Sequence, residues 1–147
     1  MSGPEFTEST SLLTFAEIAP VMIPRYSIEQ QISEKFHALT RTYASGEPSR
    51  VKDLVDILLM ANTTTVNFKK LSQCIQFTFE CRGTHKVPNE IPAISEVYSQ
   101  SFHSLAIKAQ IRQETLVKGN LAFTEFLSPV VTGREWNVWN PDLFHWE

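Results

Sequence analysis

Residues 27–61 read SIEQQISEKFHALTRTYASGEPSRVKDLVDILLMA, and this stretch decides the fold. It predicts two amphipathic helices joined by a turn that holds Gly46 and Pro48. The first helix opens on a capping box, in which Ser27 accepts from the amide three residues on and Gln30 reaches back to the amide of Ser27. At about 100° per residue, Ile28, Ile32, Phe36, Leu39 and Tyr43 fall within one arc of roughly 80°, a core-facing stripe. Lys35 projects roughly 20° from Ile28, on the edge of that apolar arc, while Glu34 and Arg41 point the opposite way. A lysine so placed either snorkels along the core to expose its ammonium at the rim, or is aimed at an anion supplied from outside its own helix.

The second helix is expected to start at Ser49 as N-cap, with Pro48 just outside and Val51, Leu54, Val55 and Leu58 as its buried stripe. Arg50, Lys52, Asp53 and Asp56 crowd its first two turns. The spacings of Arg50 to Asp53 and of Lys52 to Asp56 permit pairs along the helix, so one reading is a solvated, self-paired face. The acids also suit the positive end of a helix. The other reading is a carboxylate held by neighbouring cations and able to orient a nucleophile or a metal-bound group.

The strings QQISEKFHALTR and PSRVKDLVDILLMA resemble the last two motifs of the AbiEii/AbiGii nucleotidyltransferase toxin family, a Glu-Lys pair in an E-x-x-x-EK-x-x-A helix followed by an R-x-K-D-x-x-D helix. RGTH at 82–85 and FLSPVVTG before a tryptophan-rich tail are similar to the family's C-terminal portion, so the resemblance runs from about Pro24 to the end. Ser33 departs from it, standing where the family usually has alanine. A larger departure is the nucleotidyltransferase core, whose glycine-rich turn and acidic residues hold the nucleoside triphosphate and magnesium. The five glycines here, at 3, 46, 83, 119 and 133, form no such turn.

The resemblance implies a chain corresponding to the family's C-terminal region, an expressed fragment or a truncated relative. In that role Lys35 would bind the triphosphate. Asp53 would be the catalytic carboxylate, with Asp56 as second candidate and Arg50 and Lys52 as substrate-binding neighbours. NTP and magnesium are expected for the full-length enzyme and no cofactor for this chain. The implied partners are an antitoxin and an RNA or protein acceptor. The competing expectation is a non-catalytic helical module that docks an antitoxin or a catalytic subunit. A helix-turn-helix DNA reader fits less well, because the link between the helices is long and no basic recognition helix follows.

A length of 147 residues, 42% hydrophobic and 20% charged, suits one soluble domain, and a net charge of −3 gives no global attraction to nucleic acid or anionic membrane. Cys74 and Cys81, seven apart in an expected helix, are too distant to bridge, which points to free thiols in a reducing, cytoplasmic setting. His37, His85, His103 and His145 are dispersed and show no metal-ligand spacing. No apolar run reaches the length of a membrane span. The start, MSGPEF, reads as a tag or cloning remnant over 1–6, leaving a single helical domain over 7–147.

The fold class expected is mainly α, a compact bundle of four to six helices with at most a minor strand near the N-terminus. Thr14 to Ile18 could form a helical turn, and Pro20 and Pro24 limit the piece between them to a short extended segment. Asn62 to Thr65 reads as a loop. A third helix is capped by Asn67, buries Phe68, Leu71, Ile75 and Phe79, and ends at Gly83, with Phe77 suggesting burial on both sides. A fourth is expected over Ile94 to Gln110, with Ile94, Val97, Tyr98, Leu105 and Ala109 inside, and a fifth over Glu114 to Leu127 despite Gly119. Pro129 and Gly133 then break the chain. The tail, with three tryptophans and a phenylalanine, is read as a lid packed on the helices rather than a base-stacking platform.

Overall fold

Ser27 begins the first helix as the capping box requires, its hydroxyl accepting from the Gln30 amide at 3.2 Å. The reciprocal half is not made by Gln30, whose side-chain amide donates instead to Thr78 at 2.9 Å and Glu34 at 3.1 Å. The structure, a computed structural model, describes residues 5–8, 22–45 and 50–147, with side chains over 26–41 and from 50 onward. Among them the chain forms β1 (Glu5–Glu8), β2 (Met22–Arg25), α1 (Ile28–Ser45), α2 (Val51–Thr63), β3 (Val66–Asn67), α3 (Phe68–Arg82), a 3-10 turn (Glu96–Tyr98), α4 (Ser99–Ala109), α5 (Leu116–Thr132), β4 (Val138–Asn140) and β5 (His145–Trp146). The described residues are mainly α, with five helices.

The strands correct the expectation of a single minor strand near the N-terminus. β1 and β2 pair antiparallel, Glu5 opposite Arg25, so Glu5 and Phe6 share in a strand. A three-stranded antiparallel sheet in the order β3-β4-β5 forms where the two strands of the C-terminal tail pair onto Val66–Asn67, just ahead of α3. It registers Val66 with Trp139, and Trp139 with Trp146. Thr14 to Ile18, Pro20, the turn of Gly46 and Pro48, Ser49 and the side chain of Tyr43 lie outside the described residues.

α1 is the central element. Ile32, Phe36 and Leu39 are fully buried as the stripe predicts. Towards α3 the helix buries polar side chains as well, Glu29, Gln30, Ser33, His37 and Thr40. Each makes a hydrogen bond locally or across the seam, and the Gln30 Oε1 atom is the one buried acceptor among them left without a partner. Ser33 donates to the Glu29 carbonyl at 2.8 Å, which lets a hydroxyl stand in a fully buried small-residue position. The Glu29 carboxylate accepts from the Asn67 amide at 2.9 Å and so ties the start of α1 to the start of α3.

α2 has Arg50 at its N-cap with no side-chain cap bond, one residue beyond the expected start, and it runs through Asn62 to Thr63. α3 follows its sequence signals. Asn67 accepts from the Lys70 amide at 2.8 Å, and Gly83 closes the helix in the left-handed conformation, φ 61°. Phe77 is 40% exposed, so α3 is buried on one side only.

α4 is shorter than expected. Ile94 is buried, but its amide and carbonyl are both bonded to the side chain of Asn120 on α5, which holds it outside the helix. Val97 sits in the 3-10 turn at 81% exposure, and Phe102 and Ala106 supply the fully buried contacts of α4. α5 continues through Pro129. The proline removes the bond to the carbonyl of exposed Glu125, which water can replace, and Gly133 (φ 82°) ends the helix. Trp139 and Trp146 are buried and donate their indole N–H groups to the carbonyls of Ala61 and Phe126, at 2.7 and 2.8 Å. The tail is a lid in these two residues, whereas Trp136 is 41% exposed.

Candidate active site

The arc that buries Ile32 and Leu39 also carries Lys35 to the face of α1 that packs on α2. There it meets the charged first turns of that helix. Lys35 Nζ lies 2.9 Å from Asp56 Oδ2 and 3.5 Å from Asp53 Oδ1. Arg50 Nε lies 2.9 Å from Asp53 Oδ2, and Lys52 Nζ 3.2 Å from Asp56 Oδ2. All five residues singled out in the sequence therefore form one cluster. It holds three cations against two carboxylates and is net positive.

Burial divides the roles within it. The Asp53 side chain is only 5% exposed, Asp56 is a quarter exposed, and Arg50 and Lys52 reach well into solvent. Lys35 resolves its two sequence readings in favour of an anion outside its own helix. Its hydrogen bond to Asp56 holds the ammonium above its ordinary value against partial desolvation, with the charges of Asp56 and Asp53 adding. Asp53 Oδ2 is distinct. Arg50 neutralises it electrostatically, but no aligned donor among the described residues gives it a hydrogen bond. That oxygen is buried beside a cation and keeps an acceptor position unfilled.

The family model described as Nucleotidyl transferase AbiEii toxin, Type IV TA system matches residues 2–136. The chain belongs to this family. Neither a curated protein nor a solved structure matches it. As an AbiEii nucleotidyltransferase toxin it acts within a toxin–antitoxin system, which brings an antitoxin partner with it. No helix among the described residues is long and apolar enough to cross a membrane.

Magnesium does not fit the cluster of this AbiEii chain. Both carboxylates are already faced by cations, and no group of three or more metal-ligating side chains occurs among the described residues. Cys74 and Cys81 are unbridged, as expected.

A second polar cluster escaped the sequence reading. On the α3 side of α1, His37 and His85 bring their rings within 4.8 Å, joined through Thr84, while Arg82 bonds Glu34 at 2.6 Å. The histidines looked dispersed because they are 48 positions apart in sequence. The available signals were the RGTH string and the polar residues recurring on one side of α1.

Proposed function

We propose that this chain is the C-terminal helical region of an AbiEii nucleotidyltransferase that transfers a nucleotide from an NTP to an RNA or protein acceptor. The observation that carries the reading is the approach of Lys35 to Asp53, from two helices, beside a buried carboxylate oxygen with a vacant acceptor position. In this reading Asp53 Oδ2 takes the proton of the acceptor hydroxyl, the hydroxyl oxygen forms its bond to the α-phosphorus, and pyrophosphate leaves. Lys35 and Arg50 offset the charge that builds on the phosphoryl oxygens. Asp56 orients Lys35 and keeps it charged. The turn that grips the triphosphate and any magnesium would come from a nucleotidyltransferase core outside this cluster, so the 147-residue chain is inactive alone.

The test is label transfer from an α-labelled NTP. In the toxin that joins this region to its core, Lys35→Met and Asp53→Asn should each lower transfer by ~10²-fold or more while melting close to the parent. If both variants retain full activity, the cluster is an ion-pair network and the chain is a non-catalytic module that docks an antitoxin or a catalytic subunit. Transfer by the isolated chain would also refute the proposed division of labour.

A further inference from the structure

The RGTH string is not used by the proposed chemistry, and its hydrogen bonds fix the protonation of two histidines. Thr40 sits on α1 with its hydroxyl 3.0 Å from the Phe36 carbonyl and 3.1 Å from the His37 carbonyl. Both are acceptors, so the single hydroxyl proton of Thr40 is committed to the backbone. His85 Nε2 lies 2.8 Å from the same oxygen and must therefore donate to it. A neutral His85 then presents Nδ1 as an acceptor, and the Thr84 hydroxyl at 2.9 Å donates there. With its proton used, Thr84 Oγ1 can only accept from His37 Nε2 at 3.0 Å. The chain runs from His37 through Thr84, His85 and Thr40 to a backbone carbonyl. It closes with both imidazoles neutral and both protonated on Nε2.

We propose that residues 82–87 form a pH-operated latch, in which the Thr84 hydroxyl bridging His37 and His85 holds the chain leaving α3 against α1 and lets it go on acidification. A proton added to His85 goes to Nδ1, where it faces the hydroxyl that had been donating, and Thr84 must turn its own proton away. A proton on His37 as well would place two cations with ring centres 4.8 Å apart. The surrounding charges act in the same direction. Burial and the neighbouring His85 and Arg82 push His37 below the ordinary histidine value, with Arg41 adding and Glu34 opposing. Burial, then Arg41, pushes His85 down.

The latch has a fixed end and a free end. Arg82 stays paired with Glu34, and Gly83 closes α3, so release is confined to the residues that follow. Those residues wall a cavity of about 500 Å³ lined by Phe79 and Glu80 together with Gly83, Thr84, His85 and Lys86. Phe79 packs edge-on against both imidazoles, at 4.9 and 5.1 Å, and release uncovers it. The Lys35 cluster lies on the opposite side of α1, so the latch is independent of the transfer site.

The experiment uses the 147-residue chain. Nitrogen NMR of the imidazoles should show both as Nε2–H tautomers that titrate below the ordinary value of about 6.5. Proton–proton cross-relaxation between the Phe79 ring and the side chains of residues 84–87 should fall roughly tenfold between about pH 7.5 and about pH 5.5, with contacts inside α2 unchanged. His85→Gln keeps a donor for Thr40 without a titrating group and should abolish that pH dependence. Thr84→Val keeps both imidazoles and should loosen 84–87 already at neutral pH. Either histidine titrating at or above the ordinary value, or contacts of 84–87 with Phe79 insensitive to pH, overturns the latch. If His85→Gln fails to fold, unchanged contacts of 84–87 with Phe79 in Thr84→Val overturn it instead.

Discussion

Lys35 on α1 and Asp56 on α2 meet at 2.9 Å, and Lys52 reaches the same carboxylate oxygen at 3.2 Å. Asp56 therefore keeps a cation when Lys35 is lost, whereas Lys35 loses its shortest contact when Asp56 is lost. Lys35 is 38% exposed, so solvent screening limits the pair. A cycle of Lys35→Met, Asp56→Asn and the double variant, followed by urea melts, should give a coupling of about 0.5–1 kcal/mol. A coupling of zero would mean that the contact is ornamental. A snorkelling lysine would have made Lys35→Met neutral; the paired lysine predicts a loss.

The same pair predicts an alkaline signature. The folded-state value of Lys35 is raised above its ordinary 10.5, so its contribution is fully present below that value and fades as pH climbs through the raised one. Stability profiles of the parent and of Lys35→Met should run parallel at neutral pH and converge in strong alkali. Profiles that stay parallel throughout would show that Lys35 is not stabilised as the cation.

Gly119 on α5 is the point where Phe102 of α4 crosses it. A Cβ at Gly119 would overlap the far edge of the Phe102 ring, which is fully buried and has nowhere to retreat. Gly119→Ala should gain up to about 1 kcal/mol in helix propensity yet lose about 1–3 kcal/mol to overpacking, for a net destabilisation. Pairing it with Phe102→Leu should recover part of the loss. A more stable Gly119→Ala would show that the helices separate freely.

The helical skeleton was legible where period and punctuation agree. Ile32, Phe36 and Leu39 keep a clean stripe, and Asn67 and Gly83 bracket α3 with chemistry that has few alternatives. Lys35 was visible as an intruder on that stripe, but a single helix does not say which surface will face it, so Asp56 as its nearest anion emerged only from packing. Val97 misled because a 3-10 turn does not follow the 100° phase on which it was placed. Strands of two and three residues, such as β3 and β4, are too short to alternate. Nothing in the sequence marked Gln30, Ser33, His37 and Thr40 as a buried polar seam, because polarity alone predicts exposure unless the partners are known.

Capping chemistry offers a local test. Asn67 accepts from the Lys70 amide at 2.8 Å, while its own amide donates to Glu29 on α1. Asn67→Ala removes only the side-chain bond and should cost about 1 kcal/mol. Glu29→Gln leaves the cap and weakens the tie between helices, so its effect should add to that of Asn67→Ala. Thermal melts of the two variants and their combination check this.

The final prediction separates the tryptophans of the tail. Trp139 is fully buried, packs edge-on against Phe126 and Phe144 at ring distances of 4.7 Å, and donates its indole N–H to the Ala61 carbonyl near the end of α2. Helix-end carbonyls lack intrahelical partners, so this bond satisfies a group that would otherwise be buried without one. Trp139→Phe removes the donor and part of the ring together. Its expected cost is about 2–4 kcal/mol, from an orphaned carbonyl and a cavity. Trp136, 41% exposed, has neither the burial nor the same contacts, and Trp136→Phe should change stability by no more than about 0.5 kcal/mol. The ordering is the sharper claim. Urea midpoints showing equal losses for the two variants would mean that the tail acts as a loose aromatic cover, not as a lid locked through one indole.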